Sequence, residues 1–318
     1  MIKTLLSISM PLFLAFSAFA QQSHEKLVRE TDYLLYLPEG YKEQIDKQFP
    51  LVMYLHGSGE SGSDLERVKG NGLPKLVAQG KEFPFILISP QTDNLGWNED
   101  ELYRLLQRTK QSYRVDTNRI YLTGISMGGA GTWSMAIKYP ELFAAIAPIA
   151  GGRDTANLFR LRNMAVWAFH GFKDDVAPPK RSIEMVDILR RFCSNVRLTL
   201  YPQANHNSWD TTYNNPKFYT WLLNQRKFLY QPVKVKQKIL NTYAGKYAGP
   251  YDTVEVLVEK GHLILKPRPD RFIEMKAASD TKFYVRAWEP VDAEFIINSK
   301  EQLCILNRQA RMVYKKIR

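Results

Sequence analysis

From Tyr33 onward, short apolar runs alternate with longer stretches in which apolar residues recur every three or four positions. The short runs read as strands: Tyr33 to Leu37, Leu51 to Leu55, Phe85 to Ser89, Ile120 to Thr123, Phe143 to Ile149, Ala165 to Phe169 and Val196 to Tyr201. Helical periodicity marks Glu99 to Tyr113, Ala130 to Lys138, Arg181 to Phe192 and Lys217 to Leu229. Apolar strands alternating with such helices predict an α/β fold, a mostly parallel sheet with helices on both faces.

After Leu229 the texture changes. The segment 231–238 is basic and carries no strong period. Then come short alternating segments: Val254 to Glu259, Leu263 to Lys266, Phe283 to Arg286, Glu294 to Ile297, Leu303 to Leu306 and Met312 to Tyr314. Alternation at period two, broken by turn residues, predicts antiparallel strands in a small all-β domain, a barrel or a sandwich. The beginning of the chain differs again. A positive start, Met1-Ile2-Lys3, precedes an apolar run from Leu5 to Phe19, and Ser17-Ala18-Phe19-Ala20 has the small-x-small form of a cleavage site. This pattern predicts a signal peptide over 1–20, export to the periplasm or beyond, and no integral membrane segment once it is removed. The expected organisation is therefore a catalytic domain over 21–230, a linker over 231–240 and a β-domain over 241–318.

Composition adds little and excludes something. The 318 residues suffice for one large core and a smaller one. The formal charge is +12, and residues 231–318, with 17 Lys and Arg against 10 Asp and Glu, hold more than half of it. These charges are scattered, and no motif accompanies them, so a nucleic-acid partner is not expected. Loose attraction to an acidic polysaccharide or an anionic surface is compatible with them. Cys193 and Cys304 lie far apart, compatible with one disulfide or two buried thiols. No zinc-like spacing occurs, so neither metal nor cofactor is expected.

The chemistry concentrates in four places. Gly124-Ile125-Ser126-Met127-Gly128 lies between the strand ending at Thr123 and the helix from Ala130. That context makes Ser126 a candidate nucleophile on a sharp turn, with glycines keeping side chains out of the bend. A serine hydroxyl needs a base. Among five histidines, His24 follows the leader, His56 and His170 each end an apolar strand before a glycine, and His262 is in the C-terminal segment. His206 remains, in a loop after a strand, where an α/β sheet faces its site. The acid is expected between serine and histidine in the chain, and Lys173-Asp174-Asp175 follows the strand ending at Phe169. Asp174 is favoured, with Asp175 as its competitor. Two backbone amides should hold the developing oxyanion, that of Met127 after the nucleophile and that of Ser58 in the loop His56-Gly57-Ser58-Gly59-Glu60. Trp97, Trp209 and Glu60, in loops beside these segments, are candidate substrate contacts; Trp133 and Trp167 read as core.

Leu55 to Glu60 with Gly124 to Trp133 resemble the secreted esterases and predicted peptidases of the α/β-hydrolase fold. That group is similar to the feruloyl and acetyl-xylan esterases of carbohydrate esterase family one and to the phospholipase/carboxylesterase family. Tyr139 to Ala145, the acid loop Trp167 to Asp175, and Thr199 to Pro202 followed by Asn205 to Trp209 extend the match over about residues 28 to 229. The resemblance implies Ser126, Asp174 and His206 as a triad. Two departures stand out: Asn205 where the family usually has glycine, and Asp175 in place of a common proline. The C-terminal segment, opening at Tyr243 to Tyr247, resembles lipocalin-like domains appended to exported serine hydrolases. The expected activity is hydrolysis of small-molecule or polysaccharide esters, acyl or feruloyl, through an acyl-enzyme. A serine peptidase of the same fold and a non-catalytic glycan- or partner-binding protein are the alternatives.

Overall fold

The computed structural model describes residues 31–192, 195–285, 293–298, 302–307 and 311–317. The signal peptide expected at 1–20 and Cys193 lie outside the described residues.

A seven-stranded sheet is built from β1 (Tyr33–Tyr36), β2 (Phe49–Leu55), β3 (Ile86–Pro90), β4 (Val115–Ile125), β5 (Ala145–Ile149), β6 (Ala165–Gly171) and β7 (Val196–Tyr201), in the order β1-β3-β2-β4-β5-β6-β7. Strand β1 pairs antiparallel with β3, and every other pairing is parallel. The helices around it are α1 (Gly72–Ala78), α2 (Glu99–Ser112), α3 (Met127–Lys138) and α4 (Lys180–Leu189) between strands, and α5 (Trp209–Tyr213) and α6 (Pro216–Leu223) after the last.

Alternation along the central strands sorts the helices onto two faces. Leu51, Met53 and Leu55 of β2 pack with residues of α2, α3 and α4, including Leu102, Leu106, Trp133 and Met185. Val52 and Tyr54 turn the other way, into a core shared with Leu73, Trp209, Tyr213, Phe218 and Trp221 of α1, α5 and α6. Both faces are covered, so the strands read as unbroken apolar runs. Trp133 is fully buried, as expected of a core residue.

Differences from the sequence reading have local causes. The last helix stops at Leu223 rather than Leu229, and beyond it the Lys227 amide bonds the Asn118 carbonyl at the start of the sheet. Strand β4 begins at Val115, five residues early, where polar Asp116, Thr117 and Asn118 hide the pattern. Helix α7 (Gln237–Tyr243) occupies part of the stretch expected to be a linker, and it sends Leu240 into a second, separate core beyond the two faces of the sheet.

That second core lies in a barrel: β8 (Gly245–Ala248), β9 (Thr253–Glu259), β10 (His262–Arg268), β11 (Arg271–Ala277), β12 (Lys282–Val285), β13 (Ala293–Ile297), β14 (Gln302–Asn307) and β15 (Arg311–Ile317). Each strand pairs antiparallel with the next, and β15 closes on β8. Closure leaves no sheet edge unpaired, which resolves the choice between barrel and sandwich. Tyr247, Val256, Leu263, Met275, Phe283, Phe295 and Tyr314 build the core.

A buried acid of the barrel lies among its contacts with the α/β part of the chain. Glu294 on β13 is fully buried, and its Oε1 forms an ion pair with Arg162 Nε at 2.9 Å. Its Oε2 accepts from Asn163 Nδ2 at 3.2 Å and from the Tyr230 hydroxyl, and Lys282 Nζ stands 3.6 Å from Oε1. Tyr230 also packs on Tyr284 with ring centroids 4.7 Å apart. Arg162 and Asn163 immediately precede β6, so this junction lies at the amino end of the parallel strands.

Candidate active site

Strand β4 ends at Ile125 and α3 starts at Met127, so Ser126 alone makes the turn. Its φ of 52° and ψ of −115° form a strained backbone conformation that few non-glycine residues adopt. Close packing imposes it. A Cβ on Gly128 would stand 2.0 Å from the Leu55 carbonyl oxygen, and one on Gly124 would stand 2.4 Å from that of Gly128. Only glycine lets these backbones approach so closely.

His206, in the loop after β7, places Nε2 2.9 Å from Ser126 Oγ. Its Nδ1 lies 2.8 Å from Asp174 Oδ2. An ionised carboxylate only accepts, so Nδ1 carries the proton and Nε2 is left to accept from the serine hydroxyl. Asp174 is buried in the loop after β6, and its Oδ1 accepts from the amides of Val176 at 3.0 Å and Ala177 at 2.8 Å. Burial alone would raise its pKa. The Ala177 amide and the hydrogen bond and charge of His206 outweigh burial and hold it below the usual carboxylate range. Asp175, the competitor, is exposed on the outer side of the same loop. Asn205, the departure beside the histidine, is strain-free: among the described residues only Ser126, Ala150, Asn157 and Lys260 have positive φ without being glycine.

The two expected oxyanion donors are brought to the same elbow. Met127 is the first residue of α3, so its N–H has no intrahelical acceptor. Ser58 opens a short 3-10 turn, Ser58–Glu60, and its amide is orphaned for the same reason. The loop before it is pressed on the elbow: a Cβ on Gly57 would lie 3.5 Å from that of Ser126.

The three candidate substrate contacts fare differently. Glu60 is buried, and both carboxylate oxygens are engaged within the protein. Oε2 accepts the Gly57 amide at 3.0 Å, and Oε1 accepts from Asn71 Nδ2. Through these two bonds Glu60 braces the loop that carries Ser58. Trp209 is 9 % exposed, packs edge-on against His206 at 5.3 Å, and donates Nε1–H to Asn71 Oδ1 at 3.2 Å. Its ring is a back wall for the histidine. Trp97 is half-buried, wedged between the His56 ring at 4.7 Å and Gly131, where a Cβ would meet it at 2.6 Å.

Two histidines set aside by elimination belong to the site's frame. His56 is buried; its Nε2 accepts the Thr92 amide at 3.2 Å, so Nδ1–H donates to the Gly57 carbonyl at 2.6 Å. Burial first of all lowers its pKa and keeps it neutral. His170 reaches the carboxylate itself, with Nε2 3.1 Å from Asp174 Oδ2. The signal was present in the chain: both residues close a buried strand immediately before a glycine. Asn71 had no motif to mark it.

A strand, a one-residue serine turn and a helix, on a mostly parallel sheet with histidine and acid in later strand-end loops, define the α/β-hydrolase fold. Residues 88–217 match the model of the phospholipase/carboxylesterase family. The chain is 27 % identical over 164 residues to the protein named Probable feruloyl esterase C of Aspergillus terreus, covering 49 % of this chain and 59 % of that one. It is 29 % identical over 121 residues to poly(3-hydroxyalkanoate) depolymerase C of Paucimonas lemoignei, covering 32 % and 28 % respectively. The match thus spans under two thirds of either relative. A crystal structure of a thermostable esterase superimposes with a TM-score of 0.53 and 31 % identity, over 61 % of this chain and 59 % of that chain. Among the described residues no group of three or more His, Cys, Asp or Glu could hold a metal, and no helix is long and apolar enough to cross a membrane.

Proposed function

We propose that this protein is an exported serine carboxylic ester hydrolase working through an acyl-enzyme. The observation that carries this reading is the continuous line from Ser126 Oγ through His206 to Asp174, with contacts of 2.9 and 2.8 Å. Ser126 Oγ attacks the ester carbonyl while His206 Nε2 takes its proton; the amides of Ser58 and Met127 hold the oxyanion. The tetrahedral adduct collapses, the C–O bond to the alcohol breaks, and His206 returns the proton to the leaving oxygen. Water then attacks the acyl-serine by the same route, releasing the carboxylic acid and restoring Ser126. Asp174 keeps the imidazole in one tautomer and stabilises its charged form.

The substrates proposed are acyl or feruloyl esters, on polysaccharides or on small alcohols, in keeping with the names of the relatives. Export rests on the leader pattern of residues 1–20. The domains proposed remain 21–230 for catalysis and 241–318 for the barrel. A panel of acetyl xylan, methyl ferulate, a lysophospholipid and short peptide amides tests the assignment. Turnover of an ester in the panel, lost in Ser126→Ala, is expected. Cleavage of peptide amides alone would replace it with a peptidase, and a fluorophosphonate that leaves Ser126 unlabelled would replace it with a binding protein.

A further inference from the structure

The Asp174 carboxylate is shared by two imidazoles. Oδ2 lies 2.8 Å from His206 Nδ1 and 3.1 Å from His170 Nε2, while two amides occupy Oδ1. Four donors on two oxygens account for the acceptor sites of a carboxylate. His170 is buried on β6 between two elements. Its Nε2 faces only acceptors, the Asp174 carboxylate and the Ala177 carbonyl at 2.7 Å, so the proton is there. Its Nδ1 faces the Ser182 hydroxyl of α4 at 2.8 Å; with Nε2 protonated, Nδ1 accepts from that hydroxyl, whose proton the Gly151 carbonyl also attracts at 3.2 Å. The groups facing this ring are therefore Asp174 and Ala177 from its own loop, Ser182 from α4 and, across the carboxylate, His206. Burial above all lowers the His170 pKa, so the ring is neutral and adds a donor without adding a charge.

We propose that His170 is a positioning residue for the acid of the site: its Nε2–H fixes the Asp174 carboxylate with Oδ2 toward His206 and draws off part of the negative charge that His206 would otherwise meet alone. This inference rests on the reading of Ser126, His206 and Asp174 as a triad. Turning the carboxylate would break all four bonds, so Oδ2 stays on the imidazole through the cycle. Dispersing its charge also limits how strongly the carboxylate favours the imidazolium. The ring excludes water from that side of the carboxylate as well.

The experiment compares wild type, His170→Phe and His170→Gln in hydrolysis of a chromogenic acetate ester across pH. Phenylalanine keeps a ring and loses the donor; glutamine keeps an N–H at similar reach. In His170→Phe, kcat should fall about tenfold with KM within about twofold, the scale of one hydrogen bond to a charged group. The acidic limb of kcat/KM should move to higher pH, because the unshared carboxylate binds the imidazolium more strongly. His170→Gln should recover most of both effects. An unchanged limb in folded His170→Phe, or a loss of activity that His170→Gln does not restore, overturns the proposal and leaves His170 a packing residue. If His170→Phe fails to fold, 15N-histidine NMR of the wild-type protein decides. A protonated Nε2 on His170 is expected, and a protonated Nδ1 with bare Nε2 overturns it. Asp174→Asn is measured beside them: full activity there sinks the triad itself, whatever His170 does.

Discussion

Gly128 and Leu55 touch through their backbones: a single added carbon on Gly128 would lie 2.0 Å from the Leu55 carbonyl oxygen and 2.6 Å from that of His56. The first turn of α3 thus rests on the end of β2. Gly128→Ala must push the helix away from that strand end. A displacement near 1 Å at reacting groups costs about a hundredfold in rate. We expect kcat to fall by about that factor or more, with a lower Tm, measured by steady-state hydrolysis and thermal unfolding.

The strain at Ser126 separates stability from activity. Both Ser126→Ala and Ser126→Gly should abolish turnover. Alanine inherits the φ of 52°, whereas glycine adopts it freely, so Ser126→Gly should be the more stable of the two by about 1 kcal/mol. Differential scanning calorimetry of the pair is the check, and equal Tm values would argue against a strained elbow.

Asp174→Asn should keep the fold and lose about ten-thousandfold in kcat, because an amide donor facing Nδ1 selects the wrong tautomer of His206. The carboxyl pKa of Asp174 is depressed in the folded protein, so its stabilisation is complete above the ordinary carboxylate range and fades as pH falls toward the folded value. The Tm difference between wild type and Asp174→Asn should therefore shrink on acidification below about pH 4. A difference that stays constant through that window would contradict the sign.

Glu294 offers a test far from the chemistry. Burial would raise its pKa, yet Arg162 and Lys282 outweigh that and hold it below the usual glutamate range. Glu294→Gln leaves those cations without their counter-charge in a buried junction, which should cost about 3 kcal/mol near neutral pH. Because the folded pKa is depressed, the penalty should decline as pH falls through the acid range. Ester hydrolysis at ambient temperature should stay within about twofold of wild type, since the junction lies at the end of β6 opposite Asp174. Urea titrations at pH 7 and pH 4, with a rate assay, decide both points.

The legible part of the chain was the part governed by local rules. Gly124, Ser126 and Gly128 announce a turn because their neighbours forbid a Cβ, and the strand before and helix after carry their own periods. His206 and Asp174 were reachable by chain order and elimination. The inward packing of Glu60 and Trp209 was not legible, because loop polarity and proximity cannot tell an inward side chain from an outward one, and the bridging Asn71 belongs to no motif. His170 was set aside as a strand residue since its contact with Asp174 needs the loop to double back. Helix α7 escaped notice because Lys and Gln dilute its period, and its one strong anchor, Leu240, has partners only once the barrel closes.

Strand β6 carries Asp174 just past its carboxyl end and Arg162 just before its amino end, and its own seven residues span about 23 Å of extended chain. The barrel and the catalytic mouth are therefore the two ends of one axle. A polymer brought to Ser126 would come from the side of the strand-end loops, away from the Glu294 junction.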